Sequence, residues 1–329
     1  MVQETRDWLL EEENPSVRYL TLTSLLGHAE DSGEVRRTRD EIVKRGVVPA
    51  LLDLQNDDGS WGKPERFYTD KYRCTVWNLI VLAEMRADPN DERVKKACEF
   101  IMSHSQDVEQ GGFSYTRSAK TKAGLPSGVI PCPTGNMVYS LIRLGYLEDE
   151  RVQKAIGWIC AFQRADDAVD RPPEGEVYMR YESCWGRHSC HMGAAKALKA
   201  LAAIPEEKRN RKIDEKIAEL AEYFLKHRFY MKSHDPKKVA KPGWLRLGFP
   251  MMYQRDVLEL LEIFTELRIR DPRLEDAIGI VSGKRNKEGL WKMQNSFNDK
   301  MLVAVEEKGK SSKWLTLRAL KILKFYAEL

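Results

Sequence analysis

The segment 181–191 holds the densest group of reactive side chains in the sequence, with two cysteines and two histidines close together. Thiolate sulfur and imidazole nitrogen are ligands that Zn2+ prefers in proteins. Cys132 opens an earlier helical stretch, and we expect it at the same rim of the fold. The region therefore predicts a zinc site, whose ligands are Cys132, Cys184, His188 and Cys190.

A metal ion at this site would lower the pKa of a bound thiol or water and so produce a reactive anion at neutral pH. The predicted catalytic residues are Glu182, His188 and His191. Their spacing does not follow the regular zinc motifs, such as two cysteines separated by two residues. The alternative is that the cysteines are small buried hydrophobes and that the histidines are hydrogen-bonded polar groups lining a cavity.

Two basic segments, 241–246 and 308–314, precede apolar helical stretches. Basic side chains and free N–H groups at a helix start form an anion site, so Arg246 and Lys310 are predicted to hold a diphosphate or a carboxylate. Aromatic rings would supply an apolar or cation-stabilising wall. The alternative is a solvated loop of lysines beside aromatic rings that fill the core. The predicted substrate-binding residues are Trp77, Asn136, Arg187, Trp244, Arg246, Tyr253, Lys310 and Trp314.

These residues must be positioned by helices that recur in pairs, with a period of roughly 50–65 residues. The first helix of a pair is apolar on most sides, which is typical of a buried helix. The second is amphipathic and opens with an acidic side chain, as at Asp91, Asp149 and Asp271. Such a side chain accepts hydrogen bonds from the free N–H groups of the first turn, so each of these residues marks a helix start.

Extending the pattern along the chain predicts six inner and six outer helices that close into a ring. The inner helices are predicted at 15–28, 69–87, 132–147, 187–204, 248–270 and 312–327, and the outer helices at 3–12, 34–55, 91–105, 150–164, 209–228 and 272–284. The predicted fold class is all-α, a single (α/α)6 toroid over residues 1–329 with a central cavity. A ring whose units pack only on their neighbours explains how so long a chain can fold without one very large core.

A local motif follows the outer helix predicted at 34–55 and reads Gln55-Asn56-Asp57-Asp58-Gly59-Ser60-Trp61. It resembles the repeat of the prenyltransferase and squalene-oxidase repeat superfamily, which includes terpenoid cyclases and the β-subunits of protein prenyltransferases. The closest likeness is to uncharacterised bacterial and archaeal members. The resemblance implies that the motif ties neighbouring outer helices together, with the glutamine meeting backbone groups at a helix end and the aromatic ring stacked beside it. Weaker copies occur at Gln106 with Gly111-Gly112-Phe113, at Gln163 with Asp166-Asp167, and at Glu288-Gly289-Leu290-Trp291.

The sequence also departs from these families. It lacks the Asp-x-Asp-Asp motif with which class II terpenoid cyclases protonate an alkene. The stretch 166–170 spells Asp-Asp-x-x-Asp, but it directly follows Gln163 and is interpreted as a decayed turn motif. Protein prenyltransferases hold zinc with Asp, Cys and His, and Glu182-Ser183-Cys184 only approximates their Asp-x-Cys pair. Their third ligand, a histidine on the next inner helix, has no counterpart in 244–267.

Composition excludes several other classes of protein. A formal net charge of +4 with scattered lysines does not support nucleic-acid binding. No apolar run is long enough to span a membrane, and the first residues lack the basic-then-apolar order of an export signal. We therefore expect a cytoplasmic protein, monomeric or homodimeric, whose six cysteines are reduced.

These observations predict a prenyltransferase-like or terpenoid-cyclase-like enzyme that binds an isoprenoid or a similar amphiphilic anion in the central cavity. One alternative is a non-catalytic binding or scaffold protein with the same toroid, which the missing acid motif favours. Another is a carbohydrate-active (α/α)6 enzyme, which would need paired carboxylates in the cavity. Glu182 and Asp256 are the candidates for such a pair.

Overall fold

The helices of the protein lie in two concentric layers. The computed structural model describes residues 2–166, 171–180, 182–186, 188–233 and 235–327. A π-helical turn, Thr21–Leu25, extends the second helix. In chain order the α-helices are α1 (Gln3–Leu9), α2 (Pro15–Leu20), α3 (Gly33–Ile42), α4 (Val47–Leu52), α5 (Thr75–Glu84), α6 (Glu92–His104), α7 (Pro131–Arg143), α8 (Glu150–Phe162), α9 (Glu176–Met179), α10 (His191–Ala202), α11 (Arg211–Lys226), α12 (Val257–Glu266), α13 (Glu275–Ser282) and α14 (Lys313–Ala327).

Within the described ranges, six helices form the inner layer: α2, α5, α7, α10, α12 and α14. From α5 onwards each packs on the next, and α14 returns to α2. Glu84 at the end of α5 pairs with Arg318 of α14, which joins the first half of the ring to its last helix. The helices α1, α3, α6, α8, α11 and α13 each pack outside an inner helix. The predicted all-α (α/α)6 toroid is confirmed.

Residue composition explains which helices lie inside. Every residue of α5 is buried, in keeping with its almost wholly apolar sequence. The outer helix α3 buries only Val35, Thr38 and Ile42, whose spacing places them on one face.

The predicted acidic helix starts are confirmed, and each belongs to a repeated contact between outer helices. Asp149 accepts a hydrogen bond from the backbone N–H of Arg151 at 2.8 Å, and Asp271 does the same for Arg273. The Arg151 side chain then pairs with Glu99 of the preceding outer helix at 2.9 Å. Arg93 and Arg273 make equivalent pairs with Asp53 and Glu222.

The segment 55–61 joins neighbouring helices through side-chain hydrogen bonds. Gln55 Nε2 donates to the carbonyls of Gly59 and Arg93 at 3.0 and 2.9 Å, so it joins its own loop to the start of α6. Trp61 Nε1 donates to the carbonyl of Leu51 in α4 at 2.8 Å. In the second copy, Gln106 Nε2 bonds to the carbonyls of Gly111 and Arg151.

Several helix boundaries differ from the prediction. The single outer helix predicted at 34–55 is wrong, because the chain breaks at Gly46, whose φ of 81° is unfavourable for other residues, into α3 and α4. The inner helix predicted from residue 248 begins only at Val257. Pro250 lies in the intervening segment, where it has no N–H to donate and restricts the residue before it.

No helix in the described ranges combines the length and the apolar character needed to cross a lipid bilayer.

Candidate functional site

The axis of the ring contains a buried network of ion pairs. Lys196 of α10 places its Nζ 2.7 and 2.8 Å from the two carboxylate oxygens of Glu259 of α12. Lys199, one turn further along α10, contacts Glu84 at 2.5 Å and Glu259 at 3.0 Å. The Lys196 and Glu259 side chains are 0% and 1% exposed, so these charges are withdrawn from water. Charges buried this deeply are tolerated only when they are paired.

Arg318 of α14 extends the network to a fourth inner helix. Its guanidinium pairs with Glu84 and lies 3.3 Å from Glu262. Burial alone would raise the pKa of Glu84, but the positive charges of Lys199 and Arg318 outweigh it and hold that pKa far below its ordinary value. Glu84 is therefore a carboxylate at neutral pH and cannot donate a proton.

This network predicts a specific sensitivity to acid. The pKa values of Glu84 and Glu259 are lowered from 4.5 on folding, so the stability they add is present above that pH and is lost as the pH falls through their folded values. Burial raises the pKa of Asp256 from 3.8 to about 6, which acts in the opposite sense between those two pH values. Below pH 3.8 Asp256 is protonated in both states and adds no slope.

We therefore expect the free energy of unfolding to fall steeply below about pH 4, where the two glutamates begin to bind protons in the unfolded state. Urea unfolding followed by circular dichroism, at constant ionic strength from pH 7 to pH 3, measures this. A control series in Glu148→Gln, which removes an exposed carboxylate, should keep the same slope. A free energy that is unchanged or larger at pH 3 would contradict the expectation.

A cleft opens where the carboxyl ends of the inner helices meet, and we call it the basal cleft. Its volume is about 730 Å3, and its lining includes Tyr19, Leu20, Arg86, Arg143, Leu147 and Lys321. A smaller cavity of about 50 Å3 continues from it towards the ion-pair network and reaches Glu84, Tyr139 and Arg318. The basal cleft is thus the outer opening of the ring axis at this end.

The basic side chains of the basal cleft differ in whether they have an anionic partner. Arg143 lies 3.0 Å from Glu266, and Lys321 lies 3.7 Å from the same residue. The Nε of Arg143 is nevertheless buried without a hydrogen-bond partner in the described structure. Arg86 has a φ of 59° and forms no side-chain hydrogen bond or ion pair with any described residue. Buried polar atoms without partners are uncommon in folded proteins and mark candidate binding sites.

Three of the predicted substrate-binding residues meet at the opposite end of the ring. The rings of Trp77 and Tyr253 lie 6.1 Å apart. Asn136 Nδ2 donates to the carbonyl of Met252 at 3.1 Å, which holds the loop that carries Tyr253. The Nζ of Lys71 lies 4.5 Å from the Tyr253 ring centroid, a favourable cation–π distance that the sequence did not suggest.

Three of the four predicted zinc ligands also come together at this end. The sulfur of Cys190 accepts a hydrogen bond from the backbone N–H of Gly193 at 3.4 Å. Interaction with the thiols of Cys132 and Cys184 lowers the pKa of Cys190 well below its ordinary value. No group of three or more His, Cys, Asp and Glu side chains in the described ranges has the spacing of a metal site. Zinc binding stays a prediction, and His188 is exposed.

His191 lies beside Trp244 in an aromatic group, where both of its nitrogens are engaged. Nδ1 is 3.2 Å from Tyr223 Oη and Nε2 is 3.2 Å from the carbonyl of Phe229. Burial, followed by the charge of Arg255, lowers the pKa of His191 well below its ordinary value. A neutral imidazole with two internal partners fits the structural alternative, and its catalytic role stays a prediction.

The remaining predicted residues are dispersed. Trp244 packs under the Arg255 guanidinium at 3.7 Å, and Trp314 stacks on Phe249 at 4.2 Å, so both fill the ring as the alternative interpretation proposed. The side chains at Glu182, Arg246 and Lys310 are exposed, and their roles stay predictions. Arg187 and residues 167–170 lie outside the described residues.

Sequence reasoning missed the charged residues of the axis. Lys196 and Lys199 interrupt the alanine-rich inner helix α10 at a spacing of three residues. Glu259 and Glu262 lie at the same spacing in the leucine-containing inner helix α12. Charges on a helix that must be buried are the signal that could have found them, since each requires a partner from another inner helix.

Comparison with known proteins gives a result for fold alone. No protein-family model matches the chain. The structure is similar to the type II terpene cyclase MstE from Scytonema, with 14% identity, a TM-score of 0.46 and coverage of 97% of this chain and 89% of that one. It is also similar to a family 76 glycoside hydrolase from a bovine Bacteroides thetaiotaomicron strain, with 14% identity, a TM-score of 0.48 and coverage of 97% and 68%.

Proposed function

We propose that the protein is an enzyme that binds an isoprenoid-like amphiphilic anion in the basal cleft, with the anionic head group on Arg86. The observation that carries the proposal is the unpaired Arg86 guanidinium beside the unsatisfied Nε of Arg143. Guanidinium groups bind diphosphate and carboxylate through paired hydrogen bonds. The head-group site is thus proposed at the other end of the ring from the exposed Arg246 and Lys310.

The basal cleft lies at the carboxyl ends of helices, which carry partial negative charge and therefore attract basic side chains. This attraction does not give Arg86 a hydrogen-bonding partner. Arg143 and Lys321 both lie near Glu266, so they already have an anionic partner. Arg86 retains its donors, and an anionic ligand would satisfy them.

The size and lining of the cleft match an amphiphile. Its volume of about 730 Å3 is within the roughly 300–1,000 Å3 typical of small-molecule sites. Leu20, Ile142 and Leu147 offer apolar surface for a hydrocarbon chain. The inner cavity of about 50 Å3 has room only for water, so the chain would lie along the cleft rather than down the axis.

The protonation of the site favours one type of reaction. Glu84 and Glu266 are held ionised by neighbouring cations, so neither is an acid able to protonate an alkene. The arrangement suits cleavage of the bond between an allylic carbon and its diphosphate, in which the electron pair leaves with the diphosphate towards Arg86. The resulting carbocation would lie in the cleft near the Glu266 carboxylate. Capture by the chain's own alkene, followed by loss of a proton to water, would make the enzyme a cyclase. Capture by the nucleophile of a second substrate, which then gives up its proton to water, would make it a transferase.

Calorimetric titration with farnesyl diphosphate tests the binding step. Replacing Arg86 by glutamine should weaken binding about tenfold to a hundredfold, because a charge-assisted hydrogen bond contributes roughly 1.5–3 kcal/mol. Arg36→Gln is the matched control, since Arg36 is exposed on α3 and is not among the residues that line the cleft. Equal affinity in Arg86→Gln and wild type, or no binding at all, would overturn the proposal.

Release of diphosphate distinguishes the enzyme from the binding protein that is the second candidate. That candidate is favoured by the ion-pair network, which fills the axis where a catalytic cavity was expected. Binding with release that Arg86→Gln reduces supports the enzyme. Binding without release, across allylic diphosphates of several chain lengths, supports the binding protein and overturns the catalytic part of the proposal.

The third alternative, a carbohydrate-active enzyme, has less support. Of its two candidate carboxylates, Glu182 is exposed. Asp256 is buried and accepts the backbone N–H groups of Gly248 and Glu259 at 2.9 and 2.8 Å, so it caps α12.

A further inference from the structure

We propose that the protein forms a homodimer through a groove between the outer helices α8 and α11, about a two-fold axis that sets α11 antiparallel to its copy. Two adjoining cavities, of about 470 and 530 Å3, make up this groove, which we call the lateral groove. The residues that line both cavities are Gln153, Ile156, Asn210 and Ile213. The proposal does not depend on the proposed function.

Within the described ranges, the seam between α8 and α11 lacks a side-chain contact that joins earlier outer helices. Gln55 and Gln106 each donate to a backbone carbonyl at the start of the next outer helix. Gln163 Nε2 instead donates to the carbonyl of the adjacent residue, Arg164, at 2.7 Å. Its Oε1 is buried and has no hydrogen-bond partner among the described residues. The carboxamide of Gln163 therefore does not join α8 to α11.

The seam also lacks the ion pair found between other outer helices. Arg151, two residues after the cap of α8, pairs with Glu99 of the preceding outer helix at 2.9 Å. Asn210 caps α11, so Lys212 lies at the equivalent position. Lys212 is exposed and forms no side-chain hydrogen bond or ion pair with any described residue. The groove thus stays open, with an unpaired positive charge at its edge.

The α11 side of the lateral groove carries charges in a self-complementary order. The charged residues of α11 that line it are Lys212, Glu215, Lys216 and Glu219. Their spacings of three and four residues place them on one helix face. A two-fold axis between positions 215 and 216 sets Lys212 opposite the partner's Glu219. The same axis sets Glu215 opposite the partner's Lys216, so each opposed pair joins unlike charges.

The α8 side of the groove has room for the second copy of α11. Its outward positions, Gln153, Gly157 and Ala161, are exposed, uncharged and spaced by four residues. Outside α8 itself, no atom lies within 4 Å of the site of a Cβ on Gly157. Ile156 and Ile213 form an apolar floor. A helix can therefore approach α8 closely without withdrawing an unpaired charge of α8 from water.

Sedimentation equilibrium of the full chain tests the proposal in wild type. We expect a dimer at low salt. Because exposed charges make the contact, its dissociation constant should rise at least about tenfold between roughly 0.05 and 0.5 M sodium chloride. Carbodiimide cross-linking should join Lys212 to Glu219 between an isotope-labelled and an unlabelled chain, and this measurement needs no variant.

Charge reversal tests the pairing itself. Lys212→Glu and Glu219→Lys each set like charges opposite one another, so each should weaken dimerisation at least about tenfold. An equimolar mixture of the two variants should form a heterodimer, because the two negative positions of one chain then oppose two positive positions of the other. Asp214→Lys is the matched control, since Asp214 is exposed on α11 but does not line the groove, and it should dimerise like wild type.

Three results would each overturn the proposal. The first is a wild type that stays monomeric at low salt up to about 100 µM. The second is equal dimerisation in wild type and both reversal variants. The third is a mixture of folded variants that stays monomeric, with circular dichroism showing that each variant is folded.

Discussion

Replacing Gly135 by alanine should destabilise the protein by about 3 kcal/mol, because a methyl group has no space where α7 crosses α10. A Cβ on Gly135 would lie 2.4 Å from the carbonyl carbon of Lys196 and 2.6 Å from its oxygen. Both are backbone atoms in the middle of a helix, so neither can rotate away. The shift would also displace Lys196, whose ammonium is paired in the axis.

The matched control for this change is Gly157→Ala. Gly157 is also helical, in α8, but nothing lies within 4 Å of the site of its Cβ. Alanine there should stabilise the protein by about 0.5–1 kcal/mol, because glycine in a helix loses more backbone entropy. Urea unfolding of the two variants measures both effects, and changes of the same sign would contradict the packing argument.

Replacing Glu259 by glutamine should destabilise the protein by about 3–5 kcal/mol, the range observed when one partner of a buried ion pair is removed. The loss would leave the Lys196 ammonium, which is fully buried, without a carboxylate. Lys199 would keep Glu84 as a partner. The free energy of unfolding from urea titrations at pH 7 gives the size of the effect.

Two further variants separate the buried charge from a general effect of mutation. Glu148→Gln removes an exposed pair with Lys208 and should change stability by less than about 1 kcal/mol. The double variant Lys196→Met with Glu259→Leu should be more stable than Glu259→Gln, since no unpaired ammonium then remains in the axis. If the double variant is no more stable than Glu259→Gln, the buried-charge explanation is wrong.

Much of the fold could be predicted because its determinants are local. The apolar composition of α5 and the single buried face of α3 follow directly from residue order. Asp149 and Asp271 mark helix starts because the caps involve residues only two positions away. The ring followed from counting helix pairs.

The helix boundaries and the site were harder to predict for a different physical reason. A sequence pattern does not show where tertiary packing ends a helix, as in the irregular segment before Val257. The pairing of Glu84 with Lys199 and Arg318 joins residues far apart in the chain, and it depends on helices that meet only once the ring closes. Clustering of cysteines in the sequence did indicate that Cys184 and Cys190 lie together, because they are near in the chain.

The ion pairs along the axis have a consequence for behaviour at high temperature. Withdrawing charges from water becomes less unfavourable on heating, because the hydration of ions carries a strongly negative entropy. The desolvation cost of contacts such as Lys196–Glu259 is therefore smaller in hot water than in cold, whereas the stabilisation from apolar burial levels off. The centre of this ring is a structural element whose contribution improves with heat.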